Sequence, residues 1–100
     1  MPAAYATAPP EAAEDIAPTL VEERPAARVN RFDCRSTYRR EGGVHDDEEV
    51  LLLAKTTEDR YADLAARVEE LHPYEVPCVE RFEEADVPTA LADWRAGVVR

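Results

Sequence analysis

The stretch Leu71-His72-Pro73-Tyr74-Glu75-Val76-Pro77 decides how this chain is parsed. Each of its two prolines fixes its own φ and pushes the residue before it, His72 or Val76, out of the helical region. A helix running up to Leu71 must stop there, and an extended segment must follow. The bracket and the residue just after it also gather His72, Tyr74, Glu75 and Cys78. Imidazole, carboxylate and thiolate together suit a borderline metal such as Cu(II) or Zn(II), and thiolate suits Cu(I). The same residues also fit a rigid turn in which His72 caps the helix, Tyr74 packs and Glu75 bonds backbone. A lone Cys78 is equally at home as a small core residue.

Upstream of the bracket, Tyr61, Leu64, Ala65, Val68 and Leu71 recur at helical spacing and predict an amphipathic helix. Thr56 or Thr57 is placed to cap it, with Glu58 and Asp59 in the first turn. Before it, Val50-Leu51-Leu52-Leu53-Ala54 is continuously apolar and predicts the core of a central strand, about Val44 to Thr56, buried on both faces. Glu41-Gly42-Gly43 reads as a hairpin turn, because glycine supplies the positive φ a tight turn needs. The partner strand covers Arg28 to Arg39. There Phe32, Cys34, Ser36 and Tyr38 share one parity and Val29 the other, which predicts a bulge between Val29 and Phe32.

At the start of the chain, Ala3 to Thr7 is strand-like and Pro9-Pro10 opens a helix whose apolar side carries Ala13, Ile16, Leu20 and Val21. Pro18 falls inside that helix, where it removes a hydrogen bond to residue 14. Downstream of the bracket, Cys78 to Phe82 predicts a short strand. Asp86 is placed to cap a last helix from about Pro88 to Val98, with Leu91, Trp94 and Val98 on one side. The order is β-α-β-β-α-β plus a terminal helix: one α+β, ferredoxin-like domain over residues 1–100 with strand order 4-1-3-2. Cys34 and Cys78 then lie at opposite sheet edges, too far apart for a disulfide.

The 100 residues carry 12 basic and 22 acidic side chains, a net charge of −10, which argues against nucleic acid and anionic membrane as partners. Lys55 is the sole lysine, and an acidic, lysine-poor composition suits a salt-adapted host. No apolar run reaches the ~20 residues of a membrane span, and no signal peptide is recognisable. The expected location is the cytoplasm, with both thiols free. His45, Asp47 and Glu49 alternate onto one strand face and could hold a cation, although acidic runs such as Asp46 to Glu49 are commonly solvated faces. Lys55, at the end of the buried strand, either meets an anion or pairs with a carboxylate such as Glu75. Tyr38 and Trp94 suit packing or an interface. No nucleophile–base pair or phosphate loop is present, so no enzyme activity is expected.

Val29-Asn30, Ser36-Thr37-Tyr38, Glu41-Gly42, Glu49-Val50-Leu51-Leu52-Leu53-Ala54-Lys55-Thr56-Thr57 and the His72–Pro77 stretch together resemble the CutA family of divalent-cation tolerance proteins, over nearly the whole chain. The resemblance implies a ferredoxin-like subunit in a tight homotrimer, similar in build to PII signalling proteins. It also implies a part in tolerance of divalent metals, chiefly copper (Cu2+). On it rest the expected metal ligands His72, Glu75, Cys78 and Cys34, and an anion or cleft role for Lys55 and Tyr74. The alternative is a PII-like trimer sensing a small anionic metabolite in the cleft between subunits. The chain departs from the family pattern at Pro25, where leucine is usual, at Arg28, where cysteine is usual, and at Arg40, where tryptophan is usual. Pro18 and Pro88 are unusual too. The missing cysteine takes away a soft ligand, and the missing tryptophan takes away apolar surface at the hairpin.

Overall fold

The computed structural model describes residues 1–100. The chain order is β1 (Pro2–Ala8), α1 (Pro10–Glu22), β2 (Arg28–Arg40), β3 (Gly43–Lys55), α2 (Tyr61–Leu71), β4 (Cys78–Glu83) and α3 (Thr89–Val98). The strands form one sheet in the order β2-β3-β1-β4 with every neighbour antiparallel, as the split βαβ pattern requires. Glu41 and Gly42, at φ of 51° and 78°, make the two-residue turn between β2 and β3. Both central residues at positive φ match the twist of the flanking strands. Gly43 lies outside the turn and opens β3 opposite Arg40.

Helices α1 and α2 cover one face. Against it the even-numbered residues of β1 and β3 point inward: Ala4, Ala6 and Ala8 beside Val50, Leu52 and Ala54. Ile16 and Leu20 of α1 and Leu64 and Val68 of α2 complete this core. The alanines leave no bulk on β1, so the helices lie close over the strand. The odd-numbered residues face the other way. Leu51 and Leu53 are only half-buried, because neither α1 nor α2 covers that face. The continuous apolar run of β3 therefore does not mark burial on both faces within one chain.

Other local expectations change as well. The β2–β3 register is unbroken from Arg28↔Lys55 to Arg40↔Gly43, so there is no bulge. Val29 simply points to the helix side, where it packs on the core, and Phe32 to the open side. Since β1 ends at the Ala8↔Val50 pair, the rest of the β2–β3 ladder projects as a two-stranded arm. Neither threonine caps α2. The buried Thr56 hydroxyl donates to the Pro25 carbonyl at 2.6 Å and Thr57 donates to Asp59 at 2.7 Å, and the helix starts only at Tyr61. Pro88, not Asp86, stands at the start of α3. Val21 is exposed on α1, and on α3 Leu91 and Trp94 are exposed while Arg95 is the buried residue.

Candidate functional site

His72 sits at the end of α2 with an extended backbone (ψ 138°), and its N–H closes the last helical turn on Val68. Its Nε2 lies 2.8 Å from the Thr7 carbonyl, and its Nδ1 accepts the Tyr74 N–H at 3.1 Å. A carbonyl only accepts, so Nε2 carries the proton and the ring is neutral. Both nitrogens are committed, and His72 ties the end of α2 to β1. Within the protomer neither nitrogen is free to meet the metal that the sequence pattern suggested for it. Glu75 is exposed three residues further on, and Cys34 stands on β2, across the sheet from Cys78 on β4. No three His, Cys, Asp or Glu side chains converge in a way that could hold a metal ion within the protomer. Both cysteines are free.

Cys78 has one neighbour of interest. Its Sγ lies 3.5 Å from a Glu80 carboxylate oxygen. Burial, followed by the bond to Glu80, raises the thiol above its ordinary range, against an opposing contribution from Thr7. The thiol is therefore protonated at neutral pH, and a cation binding there must displace the proton.

The His45, Asp47, Glu49 series is split up. His45 Nε2 lies 3.1 Å from the Arg40 carbonyl, and its ring stacks on Tyr38. Asp47 accepts the Tyr38 hydroxyl, which pushes the phenol up to about 12. Asp46 and Glu48, on the other face, both pair with Arg35. Glu49 alone is buried, at 6% exposure.

Lys55 pairs with Glu84 at 3.2 Å, not with Glu75. Glu84 also takes both guanidinium nitrogens of the buried Arg95, so the carboxylate is gripped from two sides. Arg95 first, and Lys55 after it, hold Glu84 down at about 2. An ion triad of this kind anchors α3 to the sheet and leaves no free cation for an anion at Lys55. Glu84 and Arg95 carry no sequence signal, since they stand eleven positions apart across irregular chain and helix.

On the open face, where β1, β2, β3, β4 and the Pro73–Pro77 loop meet, lies a cavity of about 390 Å³. Tyr5, Tyr38 and Tyr74 give it aromatic walls, and Arg40, Glu49, Cys78 and Glu80 bring charge and a thiol to it. The Arg40 guanidinium lies 5.4 Å from the Tyr38 ring centre and 4.7 Å from that of Tyr74. A cation between two π faces joins the arm to the proline-bracketed loop. Tyr74 lines this cavity within the protomer, and Arg40 is the residue that composition and periodicity missed.

Comparison with known proteins agrees with this geometry. Residues 3–97 match the model of the CutA1 divalent ion tolerance protein family. The chain is 40% identical over 91 residues to the divalent-cation tolerance protein CutA of Pyrococcus horikoshii, covering 90% of this chain and 89% of that one. It is 45% identical over 85 residues to the protein of the same name from Thermus thermophilus, covering 84% and 82%. Among solved structures, the apo form of a PII-like protein CutA from Nostoc superposes with a TM-score of 0.96 at 34% identity, over 100% of this chain and 98% of that one.

Proposed function

Because the chain belongs to the CutA1 divalent ion tolerance family, we propose that it acts without turnover, as a homotrimer that binds divalent cations, copper among them, and contributes to their tolerance. The observation that carries the assembly is the uncovered sheet face. Phe32 and Phe82 are about half exposed there, beside Leu51 and Leu53, on a chain that buries only 21 of its 100 residues. A face of this kind is stabilised by a second copy of the same surface. Cation binding is weak on this reading, since no three ligands converge in one protomer, and Cys78 with Glu80 is the pair best placed to begin it. The protein works in the cytoplasm, where reducing conditions keep both thiols available.

Equilibrium dialysis against Cu2+ tests the metal reading. Cys78→Ser with Glu80→Gln is expected to lower uptake while His72→Ala, once folded, leaves it unchanged. Equal uptake by wild type and the double variant would remove that pair from the site. A second reading is that the trimer senses a small metabolite, and it is favoured by the cavity on the open face and by the likeness to a protein described as PII-like. Here Arg40, rather than Lys55, supplies positive charge for an acidic group.

A further inference from the structure

Between Glu84 and Arg100 two side chains are buried, Arg95 inside α3 and Val99 just past it. Neither belongs to the apolar core that α1 and α2 form with the sheet. Charge holds this segment instead. Arg95, at 2% exposure, gives both terminal nitrogens to Glu84 and reaches the Thr56 carbonyl at 3.4 Å, while its Nε is buried without a partner. A guanidinium so buried stays only while its carboxylate is in place, because an uncompensated charge in the interior is strongly unfavourable. Outside the triad, one backbone bond ties the segment down, from the Arg100 N–H to the Arg24 carbonyl at 2.8 Å. The helix has little stability of its own. It has ten residues, with Gly97 among them and no side-chain cap at Pro88, below the ~12–15 residues that even good helix formers need in water.

We propose that α3 is a strap latched by the Glu84–Arg95 pair, which leaves the end of the sheet and unwinds as a unit while the four strands, α1 and α2 stay folded. The latch is made within the protomer, so it does not depend on what covers the open face. Lys55 remains on Glu84 when Arg95 withdraws, so the carboxylate keeps a counter-charge and the opening is reversible. Ala96, Val99 and Arg100 form one wall of a groove whose opposite wall is the turn at residues 57–60. Release of the strap therefore opens this end of the chain.

NMR on the assembled full-length protein tests the strap, and Trp94, the only tryptophan, reports on α3 by its emission. In the wild type, the amides of residues 92–98 are expected to exchange together, about tenfold or more faster than the slowest amides of β1 and β3, as a locally opening unit does. Their rates should be the same at two protein concentrations, since the strap opens without dissociation of the copies. Glu84→Gln should move the Cα shifts of residues 89–98 to coil values and lower the anisotropy of Trp94 emission. The shifts of α1, α2 and the sheet, and the light-scattering mass, should stay as in the wild type. Helical shifts for residues 89–98 in the folded variant would overturn the latch. So would wild-type α3 amides as slow as those of β3, a result that decides the matter even where Glu84→Gln fails to fold.

Discussion

Protonating or neutralising Glu84 is the sharpest perturbation this structure offers. Its carboxylate is mostly buried, bonded by both terminal nitrogens of Arg95 and by Lys55, and held at about 2 against an ordinary 4.5. At about 1.4 kcal/mol per decade of proton affinity, that fall is worth about 3 kcal/mol of folding stability. Because the folded pKa is depressed, the stabilisation is fully present above pH 4.5 and is lost as the pH falls toward 2. Glu84→Gln has no such proton to take up, and at neutral pH it leaves Arg95 buried beside a neutral amide. The variant should therefore be about 3 kcal/mol less stable at pH 7. The difference should shrink toward zero as the pH falls from 5 to 2, because the unfolded wild-type chain takes up the proton first and the folded one only near pH 2. Urea unfolding at one fixed protein concentration, across that pH range, measures it, and the concentration must be held because assembly contributes to the midpoint. A wild-type-to-variant difference that stays constant with pH would refute the reasoning, since it would show that Glu84 binds protons equally in the folded and unfolded chain.

Pro18 sits exposed inside α1 and denies the Glu14 carbonyl its helical partner, so Pro18→Ala should raise stability by about 2 kcal/mol in the same urea assay; an unchanged midpoint would show that the helix already absorbs the defect. The Tyr38 hydroxyl, bonded to Asp47 and pushed up to about 12, should be the last tyrosine to ionise, and an ultraviolet titration of Tyr38→Phe should lack that final phase. Phe32→Glu places a charge on the open face and should bring the light-scattering mass down from about three chains to the 11.2 kDa of one; a variant that still assembles would locate the contact elsewhere.

The amino-acid order by itself determined the elements and their connection. Two prolines ended α2 at Leu71, the Glu41-Gly42 pair turned the chain, a 3.6-residue stripe marked α2, and together these specified the strand order with its two cysteines at opposite edges. Such signals are local: each depends on dihedral preference or on spacing within a few residues. The site was legible only as a list of residue types, because chemistry there is set by partners far apart in sequence. Tertiary contact decided that both His72 nitrogens are occupied, one by a carbonyl 65 residues away, and that Lys55 meets Glu84 rather than Glu75. It also decided that β3 has one open face and that Glu49 is buried without a counter-charge. An apolar run or an acidic run reads the same whether one face or two is covered. Only the placement of α1 and α2 on a single side of the sheet separates those cases.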